Sequence, residues 1–135
     1  VWDCTGDRYT AQWGEVMTKA AVRAGCRGAI VNGLRDTEAV LPQQFQVFYR
    51  YTSNAGMLGR FRMYHYQKPV LMGEVIVHPG DWIFADIDGI IAIPQAIVYD
   101  VLVSAEAVLK KEKEIKAWVD DGIRPTEIVR RGGYF

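Results

Sequence analysis

The segment from Trp13-Gly14-Glu15-Val16-Met17 to Asn32-Gly33-Leu34-Arg35-Asp36 decides the fold. Its first part carries apolar residues at Trp13, Val16, Met17, Ala20, Ala21 and Ala24, the i, i+3, i+4, i+7 spacing of a helix with one buried face. Gly25 follows as a left-handed stop. Ala29-Ile30-Val31 is then a short apolar run of the kind that forms a strand buried on both faces. With Val1–Cys4 read as a preceding strand, the segment folds as a right-handed βαβ unit. Both of its ends then fall at the carboxyl edge of one parallel sheet, where a helix N-terminus meets Arg35 and Asp36. That combination suits an anionic substrate held beside a metal ion.

Outward from this unit the chain stays α/β. Asp7, Thr10 and Gln12 are alternative caps for the first helix. Asn32-Gly33 is compatible with a hairpin turn, but Leu34-Arg35-Asp36-Thr37 does not resume alternation, so a loop is expected there, with a short helix before Pro42. Phe45, Val47, Tyr49 and Tyr51 alternate with polar residues as in a strand. Further short strands are expected at Met63–Tyr66, Val70–Met72, Glu74–Val77 and Trp82–Asp86. Asp88-Gly89 turns the last of these into Ile90–Ile93. A long helix begins near Gln95 with a buried stripe of Val98, Val101, Leu102, Ala105, Val108, Leu109, Ile115, Trp118 and Val119, and ends at Gly122. A tail runs on from Pro125. The expectation is a single domain over 1–135: a βαβ front half, a mostly β middle and a long C-terminal helix.

At 135 residues and 15.3 kDa the chain is long enough to bury roughly two-thirds of its unfolded surface. Sixteen basic and sixteen acidic residues balance, so neither a nucleic acid nor a membrane surface is expected as a partner. Two distant cysteines, Cys4 and Cys26, fit neither a zinc site nor a disulfide scaffold, and point to a reduced, cytoplasmic setting. The chain opens on Val1-Trp2-Asp3 rather than Met, as though a strand were already under way, which leads us to expect further chain upstream.

Arg35-Asp36 is the central chemical candidate. Arginine offers a planar fork for a carboxylate, and an adjacent aspartate takes a hard, largely hydrated cation such as Mg²⁺. The same dipeptide is also an ordinary surface ion pair, and Gly14 is also an ordinary site of close helix–sheet packing. His65 and His78 have no metal-spaced partner. Asp86 and Asp88 read as turn residues. Glu112 and Glu114 read as a solvated helix face. No phosphate-loop or dinucleotide fingerprint is present.

Taken in order, Gly6-Asp7, Trp13-Gly14-Glu15, Ala29-Ile30-Val31-Asn32-Gly33, Arg35-Asp36, Val47-Phe48, Val77-His78-Pro79-Gly80-Asp81, Asp86-Ile87-Asp88-Gly89 and Ile93-Pro94 resemble the RraA-like family. That family includes class II 4-hydroxy-4-methyl-2-oxoglutarate/4-carboxy-4-hydroxy-2-oxoadipate aldolases and the regulator of ribonuclease activity A. The resemblance implies a swivelling β/β/α fold, of which this chain is the C-terminal portion. It implies a homotrimer or a hexamer built from two trimers, with active sites between subunits. It implies a divalent-metal-dependent lyase acting on a small 2-oxo acid by retro-aldol cleavage or decarboxylation, oxaloacetate included, through a metal-stabilised pyruvate enolate. Twenty residues separate Gly14 from Arg35-Asp36, as in the aldolase signature. By that similarity Arg35, with the N–H groups of Glu15 and Val16 beside Gly14, binds the pyruvyl group. Asp36 anchors Mg²⁺ or Mn²⁺, and Glu112 of a neighbouring subunit (Glu114 as second choice) lies near the metal. The signature's acid at the third position after the aspartate is here Ala39, with Glu38 one residue early. The resemblance therefore also implies two alternatives: a non-catalytic regulator that binds another protein such as a ribonuclease, and a lyase or dehydratase of sugar acids.

Overall fold

Asn32 and Gly33 lie inside a strand. The loop expected after them is cut to Arg35 and Asp36 because β1 runs from Gly28 through to Leu34, with every residue after Gly28 buried. A computed structural model describes residues 1–4 and 6–135, which group into two units, Val1–Ala92 and Ile93–Phe135. In the first unit β1 pairs in parallel with β2 (Gln46–Thr52), in a register that sets Gly28 opposite Gln46 and Leu34 opposite Thr52. Parallel neighbours need a crossover. It is supplied by a short helix, α2 (Thr37–Val40), and a 3₁₀ turn, Leu41–Gln43. Val1–Cys4 runs beside β1 without forming a regular ladder: the Trp2 N–H donates to the Ile30 carbonyl, but the Cys4 N–H donates to the Asn32 side chain.

The reason Asn32-Gly33 does not turn lies in its neighbours. The Gln12 and Trp13 N–H groups both donate to the Gly33 carbonyl, at 3.1 and 3.2 Å, and the Gly33 N–H donates to Gln12 Oε1 at 2.7 Å. A Cβ at Gly33 would strike the Thr10 carbonyl, the Tyr51 ring and the Ala11 backbone. Glycine here is what lets a second backbone cross the strand.

The first helix, α1, spans Glu15–Arg23, with Gly14 as its N-cap; none of the expected caps Asp7, Thr10 and Gln12 fills that position. Its buried residues are Thr18 and Ala21, and Val16, expected on the inner face, is 78% exposed. The face is rotated because Thr18 is satisfied internally: its hydroxyl donates to the Gly14 carbonyl at 3.0 Å and accepts from Trp13 Nε1 at 2.9 Å. Trp13 stacks on Phe45, and Ala21, Ala29, Val31 and Phe45 form the core beneath. Gly25 ends the helix at φ +79°, as read from the sequence.

The β middle holds an antiparallel hairpin of β3 (Val70–Met72) and β4 (Val75–Val77), and a second pair, β5 (Trp82–Ala85) with β6 (Ile90–Ile93). Asp86 accepts the Asp88 and Gly89 N–H groups and so makes the turn between the second pair. Met63–Tyr66, expected as a strand, has no ladder partner among the described residues and is irregular. Many side chains of this region, Trp82, Phe84, Ile87 and Ile91 among them, are exposed.

In the second unit a 3₁₀ turn, Gln95–Ile97, leads into α3 (Val98–Asp120). The tail after Pro125 folds as a further helix, α4 (Pro125–Arg130), with the proline in its first turn, where no N–H is required. Of the stripe expected on α3, only Ile115 is buried, while Leu102, Val108, Leu109 and Val119 are about half exposed. Within this unit α4 is only six residues long, and its fully buried Ile128 reaches the helix near Ile115, around Gly133. Among the described residues no helix is long and apolar enough to cross a membrane.

Replacing Gly33 by alanine is expected to cost about 1–3 kcal/mol, since the added methyl meets backbone atoms that cannot rotate away. Urea unfolding of the variant checks this, and an unchanged midpoint would contradict the crossing as described.

Candidate active site

Arg35 and Asp36 stand where β1 ends, and the backbone at that end is held on both sides. The Arg35 N–H donates to the Trp13 carbonyl at 2.9 Å, and the Leu34 carbonyl accepts from the Ser53 N–H at 2.9 Å. Asp36 then takes a left-handed conformation, φ 55° and ψ 35°, which aspartate tolerates better than most non-glycine residues. Its carbonyl accepts the N–H groups of Ala39 and Val40 and starts α2. Reversal of the chain here folds the two side chains together, with Arg35 Nε 3.1 Å from Asp36 Oδ1 and 3.2 Å from Oδ2.

Two glycines flank that pair. A Cβ at Gly14 would lie 2.7 Å from Asp36 Oδ2 and 3.0 Å from Arg35 Cγ, and a Cβ at Gly56 would lie 2.7 Å from Arg35 Nη1. Gly14 is also the N-cap of α1, so that helix starts next to the contact with the Asp36 carboxylate and the Arg35 stem, although Glu15 and Val16 are not on the wall of the cavity described below. The structure thus brings Gly14, Arg35 and Asp36 together. The side chains of Arg35 and Asp36 remain 44% and 37% exposed, accessible to a ligand. They open on a cavity of about 650 Å³ whose walls also include Arg8, Tyr9, Tyr51 and Asn54.

Gly56 was not singled out in the sequence, where it lay unmarked in a turn-rich connection. It is positioned by a parallel bridge to Ala11 and by the Ala11 N–H donating to the Ala55 carbonyl at 2.8 Å. A polar network around Asp7 was also missed, because Asp7 reads as a turn residue or a helix cap and neither reading names Gln12 and Tyr51 as its partners. Asp7 Oδ2 accepts from the Thr10 N–H (2.9 Å), Gln12 Nε2 (2.9 Å) and the Tyr51 hydroxyl (3.1 Å), and Oδ1 accepts from the Tyr9 N–H (3.2 Å). Gln12 Nε2 also donates to the Thr10 carbonyl. Burial alone would raise the Asp7 pKa, but the Thr10 and Tyr9 N–H groups and the Tyr51 hydroxyl outweigh it and hold the carboxyl below its ordinary value. Burial raises the Tyr51 pKa, and the Asp7 carboxylate adds to the rise. A buried Gln beside a Tyr 39 residues further along the chain has no short sequence signature.

Of the remaining candidates, Glu112 and Glu114 lie on α3 in the second unit, where each pairs along its own helix, Glu112 with Lys116 at 3.6 Å and Glu114 with Lys111 at 3.2 Å. Ala39 is partly buried and Glu38 is exposed in the first turn of α2. His78 sits in a turn with Asp81 and His65 packs edge-on against Tyr64. Among the described residues no three His, Cys, Asp or Glu side chains group as metal ligands. Asp36 offers a single half-open carboxylate, a donor set that fits a Mg²⁺ or Mn²⁺ keeping most of its waters and does not fit a zinc-type cage.

Over residues 1–92 the chain matches the profile of the RraA-like family, described as Aldolase/RraA, and it belongs to that family. It is 32% identical over 125 residues to Protein DlpA of Legionella pneumophila, covering 90% of this chain and 20% of that protein. It is 32% identical over 133 residues to a putative 4-hydroxy-4-methyl-2-oxoglutarate aldolase of Halalkalibacterium halodurans, covering 95% of this chain and 57% of the relative. Its fold matches the crystal structure of Streptomyces coelicolor RraAS2, described as an unusual member of the RNase ES inhibitor RraA protein family. That match has a TM-score of 0.77 at 23% identity, over 84% of this chain and 59% of the other. The chain therefore spans between a fifth and just over half of the length of the two curated relatives named here.

Because the Asp7 pKa is lowered by folding, its carboxylate stabilises the native state above the unfolded value, about 3.9, and that contribution is lost as pH falls through the lower folded value. Asp7→Asn is expected to be less stable than wild type near neutral pH and to lose less stability on acidification below pH ~4. Urea midpoints measured from neutral to acid pH test this; parallel pH profiles would contradict it.

Proposed function

We propose that this chain forms the 2-oxo acid site of a divalent-metal-dependent lyase, which releases pyruvate by retro-aldol cleavage or by decarboxylation. The observation that carries this reading is the close packing of Gly14, the N-cap of α1, against the Asp36 carboxylate and the stem of Arg35. Arg35 keeps its charge at any working pH and presents the Nη side of its fork, since Nε is engaged by Asp36. That side would bind the pyruvyl carboxylate and carbonyl, with the N–H groups of Glu15 and Val16 adding donors at the helix start. The grip on Arg35 from Gly14, Gly56 and Asp36 limits its rotamers, so little ordering is left for the bound state.

Asp36 would hold Mg²⁺ or Mn²⁺ largely through waters, with Glu112 of a neighbouring subunit in a homotrimer or hexamer as a further carboxylate. When bound, such an ion supplies Lewis-acid stabilisation for an oxygen that gains negative charge. The chain's own part is to bind and orient the oxo acid against that position, through Arg35 and the start of α1.

A second reading, a regulator that binds another protein, is favoured by one observation. Ala39 stands where the aldolase signature has an acid, and its only polar contribution next to Asp36 is a backbone N–H donated to the Asp36 carbonyl. The two separate cleanly. With Mg²⁺, full-length protein is expected to release pyruvate from oxaloacetate or a 4-hydroxy-2-oxo acid, and Arg35→Ala to lower kcat/KM by roughly 10²-fold or more. Equal rates for the two proteins would remove Arg35 from the mechanism, and no release by wild type, on these substrates or a panel of sugar acids, would favour the regulator.

A further inference from the structure

The cavity beside Arg35 has a second arginine, the exposed Arg8, among its lining residues. The two come from different parts of the chain: Arg35 from the end of β1, and Arg8 from the turn between Asp7 and Thr10, whose backbone is held in place. Asp7 closes that turn through the Tyr9 and Thr10 N–H groups, and the Tyr51 hydroxyl ties it to β2. With Gln12 as well, the Asp7 carboxylate already accepts four hydrogen bonds, and it makes no ion pair with Arg8.

The charges on the cavity wall do not balance. Arg8 and Arg35 face one carboxylate, Asp36, and Asp36 is engaged with Arg35 Nε. Among the described residues Arg8 joins no ion pair. Around it the wall is neutral and polar, with Tyr9, Ser53 and Asn54. A volume of about 650 Å³ also leaves room beyond a pyruvyl group held at Arg35. A ligand with one carboxylate matches one of the two guanidiniums, and a ligand with two matches both.

We propose that Arg8 is a specificity-determining residue that pairs with a second carboxylate of the oxo acid, so that the site selects dianionic over monoanionic 2-oxo acids. This rests on the reading above that Arg35 takes the first carboxylate. The selection is electrostatic and comes from one unmatched cation rather than from the shape of the cavity.

The test compares equilibrium binding of pyruvate and of 2-oxoglutarate, by calorimetry with Mg²⁺ present, to full-length wild type, Arg8→Gln and Arg8→Lys. Wild type is expected to prefer 2-oxoglutarate. Arg8→Gln should weaken 2-oxoglutarate roughly tenfold or more while leaving pyruvate within about twofold, and Arg8→Lys should fall between. A purely structural role for Arg8 would weaken both ligands alike, and that result would overturn the proposal. So would unchanged affinities, no preference in wild type, or no binding of either ligand. Arg8-independent binding alongside Arg35-dependent pyruvate release would defeat this inference alone. Arg8-dependent binding without any pyruvate release would defeat only the lyase reading.

Discussion

The site depends on one close crossing, in which the backbone from Thr10 to Gly14 passes over the end of β1. Backbones approach that closely only where side chains are missing, and the crossing has glycine at Gly33 and again at Gly14. The Gly33 carbonyl takes two N–H donors from the crossing segment, and Gln12 returns a bond to the Gly33 N–H. Everything that gives Arg35 its place follows from this contact. The Trp13 carbonyl receives the Arg35 N–H, the helix starts one residue later, and Gly14 lies against the side chains of Arg35 and Asp36. Ala11 in the same segment pairs with Gly56, which brings the second glycine against the guanidinium from the other side.

A second set of bonds holds the crossing segment from outside. Asp7, Gln12 and Tyr51 link the turn before it to β2, so the two parallel strands and the loop above them form one hydrogen-bonded unit. Such a network rigidifies a site when all its members are satisfied, and no buried side-chain polar atom among the described residues lacks a partner. Arg8 lies in the turn that this network closes, so its backbone is held at the rim of the cavity while its exposed side chain stays available to a ligand.

Much of this was legible in the residues. The apolar run Ala29-Ile30-Val31, the left-handed Gly25 and the turn at Asp86–Gly89 stand where periodicity and turn chemistry put them. The juxtaposition of Gly14 with Arg35-Asp36 came from the order and spacing of motifs, not from either motif alone. What was misread had contacts far away in sequence. Asn32-Gly33 carries a turn signature that a crossing backbone overrides, and Thr18 is a polar residue buried where an apolar one was expected because Trp13 and Gly14 satisfy its hydroxyl. The apolar stripe of α3 was visible, but a stripe does not tell what covers it, and within the second unit α4 covers only the end near Ile115. Gly56 and Tyr51 carry no local signature, since their roles exist only once β2 lies beside β1.

The central claim is that the close fit of Gly14 against Arg35 and Asp36 makes an oxo-acid site. Gly14→Ala tests it most directly, because the added methyl meets side-chain atoms and no backbone, so the fold should survive while the two groups are displaced. Pyruvate affinity is measured for full-length wild type and Gly14→Ala with Mg²⁺ present, alongside the thermal midpoint of each. The account predicts a nearly unchanged midpoint and affinity lowered by roughly tenfold or more. Equal affinity in the two proteins, with the variant folded, would contradict it.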